Sequence, residues 1–426
     1  MMPLSDIKIC VVGLGYVGLP LACLFAERYA TVGFDTDAVR VASLNQSDDR
    51  NGEVDAERLQ EAVGSGSLRC TTSIDDIREC NVYIITVPTP VDGNNLPDLA
   101  PLLNASRTVG SVLKKGDTVI YESTVYPGVT EEECVPILAK ASNLCYNEDF
   151  FVGYSPERVN PGDKEHTVKT ICKVTSGSTP EAAVFVDTLY NSVLENGTHR
   201  APSIRVAEAS KIVENCQRDV NIAFMNELAK IFAAMGIDTG DVLDAAATKW
   251  NFIRMKPGLV GGHCIGVDPY YLIEKAKVYG VLPRVMSSAR RLNDGMGAYV
   301  ASQLVHYMNL GGIPVKDARI LILGFSFKED CPDTRNTKVA DIYHTLSEYT
   351  DRITVVDPCV DTSKVRREYG IDISSALPSG ATFDAAILAV PHRQFADIDI
   401  RAYVPRPGVV YDVKGILPRQ SVDARL

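Results

Sequence analysis

Residues 257–272, PGLVGGHCIGVDPYYL, set Cys264 among Gly258, Gly261, Gly262 and Gly266, with Asp268 one helical turn further on. Such glycine density leaves the backbone approachable and a thiol reachable, unlike a core cysteine packed within a helix. A thiolate becomes nucleophilic beside a cation or a base, and Lys211 is a candidate for that cation. On residue chemistry alone two readings of Cys264 stand level, a nucleophile and an inert buried thiol. His263 adjoins it, but adjacent side chains diverge, so His263 is read as structural.

A second chemical pattern lies near the start. Gly13-Leu14-Gly15-Tyr16-Val17-Gly18 follows an apolar run and opens a segment of helical length. In this spacing the first glycine permits a tight turn and the second lets the backbone approach a pyrophosphate. The third allows helix to pack closely on strand, and the helix N-terminus favours the anion. Asp35 ends the next apolar run, where a carboxylate accepts from ribose hydroxyls and would repel the extra phosphate of NADP. NAD is therefore the expected cofactor. Thr89 in TVPTP (86–90) and Thr124 in ESTVYPG (122–128) end further runs, and bland turn capping and a ligand role are equally open for both. Lys211, Asn215 and Arg218 recur at i, i+4 and i+7, so they share one helix face. That face is either a solvated polar stripe or a seat for an anionic or hydroxyl-rich ligand.

The elements that must position these residues follow from periodicity. Apolar runs rich in β-branched residues occur at 7–12, 31–34, 82–87 and 118–121, with helical stretches such as 18–29 and 98–114 between them. Strands alternating with helices predict parallel βαβ units with ligand at the carboxyl ends of the strands. The same grammar returns at 318–327, 353–358, 384–391 and 408–415. Between the two sets, 205–236 carries no proline and ends at Gly236, a natural helix C-cap. A helix of that length spans roughly 45 Å at 1.5 Å per residue, enough to brace two domains and offer a face to a second subunit.

Composition narrows the function classes. A chain of 426 residues predicts two or three domains, and 46% apolar with 23% charged residues is ordinary for a soluble globular protein. The net charge of −11 argues against nucleic acid or an anionic membrane as partner. Apolar runs are strand-sized, so no membrane span is expected. MMPLSDIKICVVG enters a strand without the basic and apolar regions of a signal peptide. The 11 cysteines form no C-x-x-C pair, so neither a metal site nor a disulfide framework is expected, and a reduced cytoplasmic protein is.

Taken in order, GLGYVGLPLA, GFD, TVPTPV, ESTVYPGVTEE, GYSPERVNPGD, KIVENCQRDVNIAFMNELA, GLVGGHCIGVDPYYL and LGFSFKEDCPDTRNT resemble the nucleotide-sugar (UDP-sugar) 6-dehydrogenases across essentially the whole chain. The resemblance implies an α/β fold of two Rossmann-like doubly wound domains joined by a long central helix that also builds a homodimer or higher homo-oligomer. It implies an NAD-binding domain over 1–200, a central helical domain over 201–305 and a UDP-sugar-binding domain over 306–426. It also implies oxidation of the C6 alcohol of a UDP-hexose to a carboxylate with two NAD. Cys264 becomes the nucleophile, passing through a thiohemiacetal and a thioester. Lys211 stabilises the developing oxyanion or relays a proton, Asn215 helps hold that oxygen, and Asp268 aids acid–base steps directly or through water. Glu157 of SPER is the base for thioester hydrolysis, with Thr124 placing the water. Tyr16, Val17, Arg40, Thr89, Thr124 and Arg335 join Gly13, Gly15, Gly18 and Asp35 around NAD. Arg158, Val159, Arg218, Gly261, Phe327, Lys328 and Arg419 join Lys211 and Asn215 around the sugar nucleotide.

Enzymes of this group that act on UDP-glucose carry NPEF-type and GGSCFPKD-type segments. SPERV, GGHCIGVD and TKWNF (248–252) stand here instead, and resemble the branch that uses UDP-N-acetylhexosamines for polysaccharides. The gluco and galacto epimers are both open, and the manno epimer less so. The competing readings are a UDP-glucose 6-dehydrogenase, a catalytically silent NAD-binding protein, and a two-electron hydroxyacid dehydrogenase.

Overall fold

The computed structural model describes residues 3–50, 52–92, 95–159 and 167–426. They form two compact units, residues 1–214 with 270–279, and residues 215–269 with 280–426. The division falls within one continuous helix, Ile204–Met235, which ends at Gly236 in the left-handed region (φ +69°) as its sequence predicts.

The first unit is built on β1 (Lys8–Val12), β2 (Ala30–Phe34), β3 (Leu68–Thr71), β4 (Val82–Ile85), β5 (Thr118–Tyr121), β6 (Phe151–Tyr154), β7 (Lys173–Gly177) and β8 (Thr198–Arg200). Their order is β3-β2-β1-β4-β5-β6-β7-β8, parallel except for the antiparallel β6–β7 pair. Strand order reverses between β1 and β4, which opens a crevice at their carboxyl ends. Ile9, Val11, Ile84 and Ile120 pack on one face with Leu21 and Phe25 of helix Gly18–Ala26. Cys10, Val12, Tyr83, Ile85 and Tyr121 pack on the other with Leu102 and Val109 of helix Ala100–Gly110. Burial on both faces explains why these strands read as continuous apolar runs.

The second unit repeats the plan with β9 (Ile320–Leu323), β10 (Ile353–Val356), β11 (Ile373–Ser374), β12 (Ala385–Leu388), β13 (Val409–Asp412) and β14 (Ala424–Arg425), in the order β11-β10-β9-β12-β13-β14, all parallel. Ile320 and Ile322 face one layer with Leu304 and Ile342, while Leu321 and Leu323 face the other with Phe395 and Ile400. The short strands β3, β6, β7, β8, β11 and β14 are not among the apolar runs, because they carry polar residues, are interrupted by a glycine as in FVGY of β6, or span only two or three positions. Among the described residues no helix is long and apolar enough to cross a membrane.

Candidate functional site

The loop after β1 has the geometry its glycines predict. Gly13 is at φ +94°. A Cβ on Gly15 would meet nothing within 4 Å, so that stretch of backbone is open to a ligand. A Cβ on Gly18 would stand 1.8 Å from the Gly13 carbonyl oxygen and 2.4 Å from Thr86 Oγ1, so only glycine permits this approach. Helix Gly18–Ala26 has no side-chain cap, and its first N–H groups are the natural place for a pyrophosphate. Asp35 is half-buried and accepts from Leu14 N (2.7 Å) and Asp37 N (2.9 Å). Arg40 braces the loop from below: Nε donates to Leu14 O at 3.1 Å and Nη1 pairs with Asp49 at 2.6 Å. These residues fit NAD.

Thr89 Oγ1 donates to Thr124 O at 2.7 Å, tying the loops after β4 and β5 together. Tyr271 OH reaches Thr89 O at 2.7 Å. Glu208 accepts from Gly128 N (2.6 Å) and Thr130 N (3.0 Å), and burial pushes its carboxyl up to about 7. After β6, Glu157 is buried, with Val159 N donating to its Oε1. Burial pushes the Glu157 carboxyl up, against the pull of the Lys211 charge, the Val159 N–H and Lys173. Lys211 is itself buried on the central helix. Arg158 is held by Glu214 (2.7 Å) and by Cys172 O (2.9 Å).

In the second unit Cys264 is half-buried, and its carbonyl accepts from Val267 N and Asp268 N at the start of helix Asp268–Val278. Most of the other cysteines are fully buried, and no disulfide is formed among the described residues. Asn215 Nδ2 donates to the buried Asp268 at 2.5 Å. The thiol loop is seated on the loop after β9. Gly262 N donates to Arg335 O at 3.0 Å, Asn336 Nδ2 donates to Gly262 O at 3.0 Å, and Cβ atoms on Gly261 and Gly262 would press on Phe327 at 3.0 and 2.9 Å. Cys264 and Phe327 are thereby brought onto one surface of this unit, with half-buried Lys328 beside Phe327.

Besides Arg40 and Arg158, two further arginines expected at ligands already have carboxylate partners. Arg335 pairs with Asp333 at 2.5 Å, and Arg419 pairs with Asp241 at 2.9 Å and Asp238 at 3.1 Å. His263 stands 3.8 Å from Asp333. Lys414, at the carboxyl end of β13, is a cation that sequence reasoning passed over. Its ammonium reaches the cysteine segment at Gly258, where a Cβ would lie 2.3 Å away. Burial holds it below its ordinary value, opposed by Glu329 and reinforced by Lys256 and Arg218. The signal was its place in DVKG, directly after a strand.

Asp357, Cys359 and His392 have the donor atoms of a metal site. His392 Nδ1, however, accepts from Asp330 N (2.9 Å), which puts the ring proton on Nε2, 3.0 Å from Asp357 Oδ2. Asp357 also receives Phe325, Ser326, Cys359 and Val360 N–H groups. Its oxygens already accept these N–H groups and the His392 nitrogens are engaged, so the trio fits a loop anchor and not a metal.

A glycine-loop dinucleotide sheet, a second sheet with a cation-bearing loop and a reachable thiol on glycine-rich backbone define a two-sheet NAD-dependent dehydrogenase. Family models agree along the chain. The UDP-glucose/GDP-mannose dehydrogenase family matches by its NAD binding domain over residues 7–194, its central domain over 205–295 and its UDP binding domain over 321–419. A UDP-N-acetyl-D-glucosamine 6-dehydrogenase from Pseudomonas aeruginosa is 55% identical over 99% of this chain and 100% of its own length. One of the same name from Salmonella typhi is 52% identical over 100% of both. A solved UDP-D-ManNAc dehydrogenase from Pyrococcus horikoshii has a TM-score of 0.89 at 31% identity, covering 98% of each chain. This chain belongs to the UDP-glucose/GDP-mannose dehydrogenase family and is an NAD-dependent UDP-sugar dehydrogenase.

Proposed function

We propose that the protein oxidises the C6 alcohol of a UDP-N-acetylhexosamine, UDP-N-acetylglucosamine first, to the uronate for polysaccharide synthesis. The observation that carries this reading is the half-buried Cys264 on its glycine loop, in a chain that also holds a dinucleotide site. The gluco epimer is favoured by 55% and 52% identity to enzymes named for it, against 31% to one named for the manno epimer.

The Gly13–Gly18 loop, Asp35, Arg40 and Thr89 would hold two NAD molecules in turn, each of which would supply the acceptor for one hydride. The first oxidation takes a hydride from C6 and a proton from its hydroxyl, the proton passing by way of Asp268, and leaves an aldehyde. The Cys264 thiolate adds to that carbon, and Lys211 and Asn215 hold the resulting oxyanion. Loss of the second hydride from the sp³ carbon leaves a thioester. Glu157 takes a proton from water placed by Thr124, the water oxygen bonds to the thioester carbon, and the C–S pair returns to Cys264. Asp268, fixed by Asn215, serves the proton transfers. Arg158, Val159, Arg218, Gly261, Phe327 and Lys328 bind the sugar nucleotide, with Lys328 and Arg218 meeting its diphosphate. Arg335 and Arg419 would join NAD and substrate respectively by exchanging their present aspartate partners.

The same reading places the protein in the cytoplasm as a homodimer or higher homo-oligomer, with domains over 1–200, 201–305 and 306–426. The test is NADH yield and kcat/KM across UDP-N-acetylglucosamine, UDP-N-acetylgalactosamine, UDP-N-acetylmannosamine and UDP-glucose. Two NADH per sugar and the highest kcat/KM for UDP-N-acetylglucosamine are expected. One NADH with free aldehyde would overturn the four-electron reaction, and a preference for UDP-glucose would overturn the hexosamine assignment.

A further inference from the structure

Glu122 and Lys173 form an ion pair with both side chains 1% exposed, at 2.8 Å. Neither has a place in the chemistry above. Glu122 begins the loop after β5 that carries Thr124, and its backbone carbonyl accepts from Glu157 N at 3.4 Å. Lys173 begins β7, the strand antiparallel to β6, and its ammonium also donates to Pro156 O at 3.2 Å, the residue before Glu157. Tyr190 OH donates to the other oxygen of Glu122 at 2.5 Å, and its ring lies 5.4 Å from the same ammonium. One charge cluster thus grips the loop of Thr124 and the loop of Glu157 together.

Stability alone is a weak reason for such a pair. Desolvating two charges costs about what their attraction returns, and apolar replacements of equal volume are often neutral or better. A charged clamp does set direction and distance, which apolar contact does not.

We propose that Lys173 and Glu122 are positioning residues that hold Glu157 and Thr124 in register for thioester hydrolysis. The inference rests on Glu157 acting as the base of that step, in which water gains the carbonyl carbon, Glu157 gains the proton and Cys264 leaves as thiolate. Losing the register should slow hydrolysis and spare both oxidations, so acyl-enzyme should accumulate.

The experiment mixes NAD and UDP-N-acetylglucosamine with the double variant Lys173→Met/Glu122→Gln, which strands no single charge. A burst of two NADH per active site is expected, then a steady state at least tenfold slower than wild type, with a sugar-acyl mass on Cys264. A steady state within twofold of wild type and no adduct would overturn the proposal. So would equal slowing of burst and steady state, which is what general loosening of the fold produces. Glu157→Gln runs alongside. If it shows neither burst nor adduct, the base assignment itself fails; if it shows both while the double variant behaves as wild type, only the positioning role fails. Should the double variant not fold, Tyr190→Phe decides, since it frees one Glu122 oxygen and keeps the pair. Adduct with at least threefold slower hydrolysis is expected there, and unchanged hydrolysis counts against the clamp.

Discussion

Each sheet ends its second strand in an aspartate, Asp35 after β2 and Asp357 after β10, and the two carboxylates are put to opposite uses. Asp35 is half-buried, takes one backbone N–H on each oxygen, and keeps lone pairs for a ligand. Asp357 is fully buried. Burial alone would raise its carboxyl, but His392 and the amides of Phe325, Ser326 and Cys359 outweigh that and hold it below its ordinary value. The glycines diverge in the same way. Gly324 copies the left-handed turn of Gly13 (φ +87°), but the next positions are Phe325, Ser326 and Phe327, and the next helix begins only at Val339. The first sheet therefore meets an anion with backbone N–H groups and a helix end. The second has instead a longer loop that carries side-chain cations, and its aspartate fixes that loop. One topology carries two ways of binding a nucleotide, distinguished by what the strand-end carboxylate has left to offer.

The hardest test of that division removes the thiol, which neither nucleotide site needs. Cys264→Ser should lower turnover by about a thousandfold or more, because an alkoxide leaves an ester far less readily than a thiolate leaves a thioester. Titrations of NAD and of UDP-sugar should be unchanged. Wild-type turnover would return Cys264 to the inert reading, and loss of both affinities would show that the two sites do not stand apart from the cysteine loop.

Asp357→Asn should cost about 2–4 kcal/mol in urea unfolding, because it strands buried donors that a neutral amide cannot all satisfy. UDP affinity should fall with it as the 325–330 loop loosens. A cost below about 0.5 kcal/mol would mean that the anchor is dispensable. Asp35→Asn should behave oppositely, with stability within about 1 kcal/mol of wild type. Its kcat/KM for NAD over NADP should drop roughly tenfold, since a carboxylate no longer faces the 2′-phosphate. An unchanged ratio would show that Asp35 is not at the ribose.

Glu157 sharpens the contrast from a third side, being buried like Asp357 yet held by far fewer donors. Its pKa is raised, so the base form is lost as pH falls through a value above the ordinary 4.5. kcat should therefore decline on an acid limb above that value, with the limb absent in Glu157→Gln. A flat profile down to 4.5 would detach Glu157 from the rate-limiting step.

What the chain reveals by itself is whatever depends on near neighbours. Apolar runs mark β1, β2, β4, β5, β9, β10, β12 and β13, since strands covered on both faces need apolar residues throughout. The Gly13–Gly18 spacing marks a phosphate loop, because the clash that only Gly18 avoids is with residues a few positions away and one strand over. The central helix and its stop at Gly236 are equally local. Tertiary structure decided the rest. Asp35 and Asp357 follow similar runs, and only the packing of His392 onto one of them separates ligand acceptor from loop anchor. Nothing in CKVTSG marks Lys173, which the fold buries against Glu122, 51 residues away. Charge pairing and desolvation act through space, so the employment of a carboxylate or an ammonium is set by what the fold brings to it.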